Sequence, residues 1–253
     1  MRFKILYGCC LFLWFVASSC KPTQALISNR LPTDIDSLKI ARPLAVVDLV
    51  GSSEYIDTST QMSIKIEEHI MDAIEHVLPQ NIRYSYWLLP ESKAATIDSC
   101  LMSIKNRLLV SEDINRPIPK PLMEMMQQDS VPFLLWGYID GYELTRKTYK
   151  WSKTVAIISG ILGGFFGGSW DNMPSRGEGR MMGFIVDRDK QNIAFYKNLN
   201  IRNQYISDPK NIDKAVIKLL DGYFYTYRKG KFKSLPQSPQ KDEYAEIADR
   251  PWL

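Results

Sequence analysis

The sequence predicts an α/β (α+β) fold in which one mixed β-sheet is flanked by amphipathic helices. Three observations predict it. Short β-branched and aromatic runs alternate with segments of helical apolar periodicity, two later β runs are joined by a hairpin turn, and one more amphipathic segment follows them. The expected element order is β-α-β-α-β, a glycine-rich insertion, then β-β-α. The chain has 253 residues, 45% of them hydrophobic, and is long enough to form a packed core.

The first half of the chain carries two predicted β-α units. A buried strand is expected over 43–50, and Gly51 ends it. The helical spacing of apolar residues predicts a helix over 61–78, which Pro79 ends. A second strand follows over 82–89. The second helix is predicted from one apolar stripe, formed by Ala94, Ile97, Leu101, Ile104 and Leu108.

The second half completes the predicted sheet. A short helix over 122–128 precedes a third strand over 131–139, which is expected to extend to residue 147. Two β runs, 180–188 and 193–202, flank a turn of polar residues and therefore predict a hairpin. The last helix is predicted from a cap and a first-turn proline, followed by an apolar stripe: Asp208 and Pro209, then Ile212, Val216, Leu219 and Tyr223.

Several of these β segments resemble the small α/β lipoprotein domains of the bacterial envelope. That group includes the curli-secretion lipoprotein, the peptidoglycan-synthase activator lipoproteins and the amino-terminal domain of TolB. The resemblance covers residues 40–225 and is carried by 44–49, 132–139 and the pair 183–187 and 193–196. Such domains share no catalytic residues and act through assembly and protein contacts, so the resemblance implies a structural or partner-binding role. Those families often join the last two strands by a D-x-x-T-G turn, which is replaced here by Asp189-Lys-Gln-Asn192.

The first twenty residues have the pattern of an exported bacterial lipoprotein. Arg2 and Lys4 precede an apolar run over 5–17, which is short for a membrane span but typical of a signal peptide. The sequence Ala17-Ser-Ser-Cys20 then resembles a lipobox. It predicts cleavage before Cys20 and a lipid anchor, palmitate included, on that cysteine. An ordinary secretory signal and an uncleaved membrane anchor are the two alternatives.

The predicted domain organisation follows from this start. Cleavage removes two of the four cysteines and lipid occupies a third, so only Cys100 remains and no internal disulfide is expected. The predicted parts are a signal peptide over 1–19, the lipidated cysteine and a polar spacer over 20–39, an α/β domain over 40–227 with an insertion at 151–170, and a polar tail over 228–253.

The expected location is the cell envelope, with the domain lipid-anchored at the outer membrane and facing the periplasm. Lys21 follows the lipidated cysteine at a position where enterobacterial proteins retained in the inner membrane carry aspartate.

Loss of the signal peptide removes two of the 32 basic residues and leaves 30 against 28 acidic ones. Because nucleic-acid binding needs a concentrated basic face, no nucleic-acid partner is expected. The expected partners are the membrane, through lipid on Cys20, and a protein partner or a second copy of the chain.

The search for catalytic motifs is negative, so no enzyme activity and no cofactor are expected. The sequence has no Gly-x-Ser-x-Gly elbow, no His-Glu-x-x-His pair and no Walker loop. Cys100 has no identifiable basic partner, which is typical of an inert thiol. Three acidic residues lie near strand ends and could be imagined as paired carboxylates, although no spacing brings two of them together: Asp140, Glu143 and Asp187.

The two histidines lie seven residues apart on one predicted helix. His69, Asp72 and His76 therefore share nearly one helical face and could hold a metal ion. No ligand from another element converges on them, so a solvated polar flank is the simpler interpretation. No resident metal is expected.

The segment 151–170 is unusual because it carries no charge from 155 to 168 and is rich in glycine. Its glycines recur at a spacing of four, which on a helix forms a groove where another helix can approach closely. Tryptophans bracket the segment, as aromatic residues do at membrane interfaces. The candidate membrane or oligomer contacts are Trp151, Gly160, Gly163, Gly164, Phe165, Phe166, Gly167, Gly168 and Trp170.

Three interpretations of this insertion are open: a hairpin covered by its own domain, a segment that dips into or lies on the membrane, and a self-association surface. Each glycine costs about 1 kcal/mol relative to alanine in a helix, so an uncovered helix in water is not expected. A single full crossing is disfavoured, since both ends return to one sheet and the uncharged stretch is shorter than the roughly 20 residues that a span needs.

The predicted function is that of a membrane-anchored envelope lipoprotein with a non-catalytic structural or partner-binding role. The first alternative is a subunit of an oligomeric outer-membrane pore or secretion assembly, and it comes from the family resemblance. The second alternative is a periplasmic hydrolase.

Overall fold

The computed structural model describes residues 25–27, 35–51, 55–165, 174–228 and 231–234. In that part of the chain a mixed seven-stranded sheet carries helices on both faces, which confirms the predicted fold class. The strands are β1 (Leu26–Ile27), β2 (Ser37–Ile40), β3 (Leu44–Val50), β4 (Arg83–Tyr86), β5 (Phe133–Leu144), β6 (Gly177–Asp187), β7 (Asn192–Arg202), β8 (Tyr225–Arg228) and β9 (Lys231–Ser234). The helices are α1 (Tyr55–Val77), α2 (Glu91–Ser111), α3 (Lys120–Gln128), α4 (Arg146–Phe165) and α5 (Pro209–Leu220).

Strand β5 is the centre of the sheet. One of its edges pairs in parallel with β2 near its start and with β3 along its second half, and the other edge pairs antiparallel with β6. Strand β7 and the short β1 continue the sheet beyond β6, while β4 pairs in parallel with β2 at the opposite edge. Helix α1 is therefore a crossover between two strands that run parallel to β5.

Two apolar layers enclose the sheet. Helices α1 and α5 cover one face, where Ile66, Ile70 and Val216 are fully buried. Helices α2 and α3 cover the other face with the fully buried Leu101 and Leu122. Full burial of an aliphatic side chain contributes about 1.5–3 kcal/mol, so these two layers account for much of the stability. Strand β5 supplies both layers by alternation: Phe133, Leu135 and Ile139 belong to the α1 layer, and Leu134, Trp136 and Tyr138 to the α2 layer.

Local capping confirms the predicted start of the last helix and the predicted hairpin. The Asp208 carboxylate accepts a hydrogen bond from the backbone N–H of Lys210 at 3.0 Å, and Pro209 occupies the first turn. In the β6–β7 turn, the Asp187 carboxylate accepts hydrogen bonds from two backbone N–H groups at 3.0 Å each. Gln191 adopts a left-handed backbone conformation with φ 52°, which closes the turn.

The end of the predicted spacer lies inside the sheet. Within 20–39, Ser37 and the residues after it form β2, which pairs on one edge with β4 and on the other with β5. Leu38 and Ile40 are buried, while Lys39 points to the opposite face and its Nζ donates to Ser85 Oγ at 2.7 Å. Alternating burial is the pattern of a strand. Over four residues, two of them polar, the pattern is too short to predict a strand from the sequence.

The start of the predicted tail forms a hairpin. Strand β8 continues past residue 227, and β9 lies within the segment 228–253 and pairs antiparallel with it. The Phe232 ring packs 4.8 Å from the Tyr225 ring and 5.0 Å from the Tyr227 ring. These aromatic pairs across two short strands stabilise the hairpin. The sequence predicts a tail there because the surrounding residues are polar.

Candidate functional site

Helix α4 begins at a capped turn at the end of the central strand. The Thr145 side chain accepts a hydrogen bond from the backbone N–H of Thr148 at 3.2 Å, and its carbonyl accepts one from Tyr149 at 2.8 Å. The backbone N–H of Thr145 donates to the carbonyl of Val50 at 3.1 Å. The expectation that β5 extends to residue 147 is wrong, because the strand ends at Leu144 and the Thr145 cap starts a helix at Arg146.

The first turn of α4 is fastened to the body of the domain. The Tyr149 ring meets the Tyr205 ring edge-on at 6.5 Å, and the Arg176 guanidinium lies over both rings at 5.5 and 5.9 Å. Gly51, with φ +91°, lies so close that a Cβ atom there would stand 2.0 Å from Thr148 Oγ1. The base of the helix is therefore held between the end of β3 and the loop after β7.

Beyond this base, α4 presents an apolar stripe to solvent. Trp151 is 70% exposed, Val155 45% and Ile158 53%. The three residues follow the spacing i, i+4, i+7 and therefore lie on one face of the helix. We call them the α4 stripe. An exposed apolar face on a helix marks a contact surface, because single exposed apolar residues are common but an aligned set is not.

The same helix is basic and free of acidic residues. Its charged side chains are Arg146, Lys147, Lys150 and Lys153, and all four are exposed. No aspartate or glutamate occurs from 145 to 170. A helix that combines an apolar stripe with lysines beside it is typical of a segment that lies on an anionic membrane surface. The absence of acidic residues was readable from the sequence, and the lysines were nevertheless missed because the glycines dominated the segment.

The structure describes only part of the predicted contact segment. Trp151 is on the exposed face, as given above. Gly160, Gly163, Gly164 and Phe165 lie within the last turns of α4, but their side chains are outside the described residues. Phe166, Gly167, Gly168, Trp170 and the predicted lipidation residue Cys20 also lie outside the described residues.

Residues 151–165 are helical, and the rest of the insertion to which the covered-hairpin interpretation applies, 166–170, lies outside the described residues. The glycines do not interrupt the helix in its described part, and the residues of the α4 stripe are between 45% and 70% exposed. Among the described residues, no helix combines the length and the apolar character that crossing a bilayer requires.

The three carboxylates considered for hydrolysis each have a local partner. Glu143 is buried and accepts hydrogen bonds from Ser207, through the backbone N–H at 2.8 Å and the hydroxyl at 2.9 Å. Asp140 forms an ion pair with Arg180 at 2.9 Å. Asp187 caps the β6–β7 turn. Each carboxylate therefore has an evident structural role in its own part of the sheet.

Among the described residues, neither the helix that carries the two histidines nor Cys100 has side chains arranged for metal binding or nucleophilic catalysis. His69 is half-buried, while Asp72 and His76 are exposed on α1. In the part of the chain that the structure covers, no group of three or more histidine, cysteine, aspartate or glutamate side chains is arranged to hold a metal ion. Cys100 is buried, and burial raises the pKa of its thiol, which disfavours the reactive thiolate.

These features define the class: an α/β domain whose central antiparallel pair carries a projecting amphipathic helix. Solved structures with a related fold include a PelC dodecamer from Paraburkholderia phytofirmans, with 6% identity, a TM-score of 0.37 and coverage of 79% of this chain and 94% of that one. They also include the LpoB C-terminal domain from Salmonella enterica, with 6% identity, a TM-score of 0.28 and coverage of 69% and 87%. Likenesses at these scores carry no argument about function or assembly. No family model and no curated protein matches the chain.

Proposed function

We propose that this chain is a lipid-anchored protein of the bacterial envelope with a non-catalytic structural or partner-binding role, and that α4 is its contact surface. The observation that supports this most directly is the α4 stripe: three apolar side chains aligned on a basic helix whose base is fastened to the domain. The lipid on Cys20 brings the domain to the membrane, and α4 then contacts the anionic surface beside the anchor.

The amino-terminal sequence supports the anchor. Arg2 and Lys4, the apolar run over 5–17 and the small residues before Cys20 match each part of a lipoprotein signal. A single acyl chain binds a membrane only marginally, while two or more signals make binding stable. Lipid on Cys20 together with a basic helix would supply two such signals. The favoured location is the outer membrane, on the side that faces the periplasm.

The energetics of the α4 contact are consistent with a second, weaker attachment. A Val, Leu or Ile side chain gains about 1.5–3 kcal/mol when it leaves water completely, and the residues of the α4 stripe are between 45% and 70% exposed. Each lysine near an anionic leaflet adds about 1 kcal/mol. Because the anchor keeps α4 close to the bilayer, even a modest intrinsic affinity gives high occupancy.

The anchor is tested by metabolic labelling with palmitate in a bacterial host, followed by fractionation. The wild-type chain is expected to carry label and to sediment with membranes, whereas Cys20→Ala is expected to lose the label and to remain as an uncleaved precursor. Cys100→Ala is the matched control and should behave as wild type. Unlabelled wild-type protein cut at another site would contradict the lipid anchor.

Self-association through α4 is the competing use of the same surface. Light scattering of the lipidated chain in detergent distinguishes the two uses. A monomer whose size is unchanged by substitutions in the α4 stripe fits membrane contact. Ring-shaped or defined higher oligomers that the same substitutions disperse would favour the alternative function, a subunit of an outer-membrane pore or secretion assembly.

A further inference from the structure

Strand β1 fixes the chain to the sheet only a few residues after the predicted lipidation site. Leu26 pairs antiparallel with Tyr196 of β7. Ala25 packs against the apolar layer under α1 and α5, and Leu26 packs against the layer under α2 and α3. Ala25 lies five residues after Cys20, and five extended residues span at most about 18 Å. A lipid on Cys20 would therefore hold the domain close to the bilayer rather than at the end of a long spacer.

The direction of β1 shows from which end the chain enters the sheet. Strand β7 runs from the β6–β7 turn to Arg202, which lies opposite Glu178 at the end of the sheet that carries α4. Because β1 is antiparallel to β7, the chain reaches Leu26, opposite Tyr196, from the side of Arg202. Tyr196 and Arg202 are six strand residues apart, about 20 Å. Cys20 is thus within reach of the end of the sheet that carries α4.

The two ends of the sheet differ in the charges that they expose. We call the end where β5 stops and β6 begins the α4 end, and the end that carries the β6–β7 turn the turn end. Exposed cations gather at the α4 end, on α4 itself and at the adjoining ends of β6 and β7: Arg146, Lys147, Lys150, Lys153, Arg176 and Arg202. Two exposed carboxylates lie beside them, Asp48 on β3 and Glu178 on β6. The α4 end is therefore basic.

The arginines at the two ends also differ in their pairing. Those at the α4 end form no ion pair with another described residue: Arg146, Arg176 and Arg202. At the turn end, Arg116 pairs with Asp113 at 3.3 Å and Arg188 pairs with Asp189 at 2.9 Å. An anionic surface would therefore meet unpaired guanidinium groups at the α4 end and neutralised ones at the turn end.

We propose that the domain stands on the bilayer with its α4 end, so that Arg176 and Arg202 contact the phosphate groups of anionic lipids beside the lysines of α4. The proposal rests on the lipid anchor proposed for Cys20, and it adds a contact from the sheet itself that does not depend on the α4 stripe. Guanidinium groups suit this contact because their N–H donors match phosphate oxygens in pairs. Strand β6 has eleven residues, so the turn end points away from the membrane at a height of about 35 Å.

The test is energy transfer from a fluorophore on the lipidated, full-length chain to an acceptor lipid in phosphatidylglycerol vesicles. In a Cys100→Ala background, Asn200→Cys labels the α4 end and Lys190→Cys labels the turn end of the same hairpin, and both residues are exposed. Eight strand residues, about 27 Å, separate Asn192 from Asn200. Strong transfer is expected at position 200 and weak transfer at position 190. Equal transfer at the two positions, or stronger transfer at position 190, would overturn the proposal.

Charge variants test the arginine contact separately. In the chain labelled at position 200, Arg202→Glu is expected to weaken the transfer, while Arg202→Lys keeps the charge and should match wild type. Arg116→Glu makes the same charge change at the turn end and is the matched control, with unchanged transfer expected. Wild-type transfer in Arg202→Glu, or an equal loss in Arg116→Glu, would overturn the contact at Arg202.

Failure of the anchor gives a different result from failure of the orientation. Absence of transfer at both positions would contradict the anchor, and the orientation with it. A lipidated chain that stands differently shows transfer without the expected difference. Serine at positions 151 and 158 should leave the stronger transfer at position 200 in place, because the anchor and Arg202 remain. Loss of that difference in the serine variant would overturn a contact independent of the α4 stripe.

Discussion

Helices α1 and α4 both carry an apolar stripe beside the central sheet, yet only one of the stripes is covered. Ile66 and Ile70 of α1 are completely buried, whereas Trp151 of α4 is 70% exposed and Ile158 53%. The same periodicity thus gives a core helix in one region and a helix with an exposed apolar face in the other. The pattern identifies an apolar face but does not say what covers it.

Topology explains the difference. Helix α1 connects β3 to β4, two strands with the same direction, so it must run back over the sheet and is pressed against it. Helix α4 lies between β5 and β6, which are antiparallel neighbours whose ends meet where Glu143 pairs with Gly177. A connection between such strands needs only a short turn. The insertion is therefore free to leave the sheet, and it returns to the same place.

The largest expected effect concerns one isoleucine from each helix, Ile70 of α1 and Ile158 of α4. Ile70→Ala should lower the free energy of unfolding by about 2–5 kcal/mol, because it leaves a cavity under the sheet. Ile158→Ala should change that free energy by no more than about 0.5 kcal/mol, as exposed substitutions do. Urea unfolding measures both. Equal destabilisation by the two substitutions would mean that α4 packs on the domain.

The base of α4 extends the comparison, because its first turn packs against the domain as a core element does. Glu143→Ala removes the acceptor of two hydrogen bonds from Ser207 and should lower the free energy of unfolding by about 2–3 kcal/mol. Lys190→Ala, in the exposed turn at the far end of the sheet, is the control and should have little effect. Wild-type stability of Glu143→Ala in urea would show that the hydrogen bonds to Ser207 do not hold the end of β5 to the loop after β7.

The α4 stripe itself should govern binding to the membrane surface. Replacing Trp151 and Ile158 together by serine should weaken binding to phosphatidylglycerol vesicles by about tenfold or more, since both lose apolar burial in the bilayer. Val110→Ser is the control, because Val110 is an apolar residue 89% exposed on α2, outside α4. Vesicle co-sedimentation at a series of lipid concentrations gives the affinities. An equal loss of affinity in Val110→Ser would show that the α4 stripe has no special role in membrane binding.

A smaller effect is expected from the charges beside the stripe. Lys150→Glu and Lys153→Glu should each weaken binding to anionic vesicles about fivefold, which corresponds to the roughly 1 kcal/mol that a lysine contributes near an anionic leaflet. The loss should shrink at high salt, because exposed charges are screened. Lys190→Glu serves as the control. Binding to vesicles of neutral lipid should hardly respond to either substitution.

The smallest effect concerns Lys105 and the pH dependence of stability. Burial lowers the pKa of Lys105 from 10.5, and nearby Asp140 opposes the shift. Between the lowered pKa and 10.5 the unfolded chain binds more protons than the folded one, so stability rises with pH in that window. Below the window the penalty of the charged amine is fully present. Urea unfolding of wild type and Lys105→Met should therefore converge as the pH approaches about 10. A gap that widens with pH would contradict the lowered pKa of Lys105.

Much of the fold was predictable because its long elements carry strong local signals. The stripe of α1, the cap at Asp208 and the β6–β7 turn each appear in the sequence as they do in the structure. Strand β2 was missed because Leu38 and Ile40 alternate with polar residues over only four positions. Its burial depends on pairing with β4 and β5, which are distant in the chain.

The candidate sites were less predictable, and for a physical reason. The sequence leaves three interpretations of 151–170 open, and whether Trp151 is covered depends on the antiparallel pairing of β5 and β6.

The most direct measurement compares two labelled positions on the lipidated, full-length chain. Ile158→Cys and Val110→Cys each receive an environment-sensitive fluorophore, and each protein is placed in phosphatidylglycerol vesicles that contain a lipid-borne quencher. Membrane contact by α4 predicts strong quenching at position 158 and none at position 110. Equal quenching at the two positions, or none at position 158, would contradict the account.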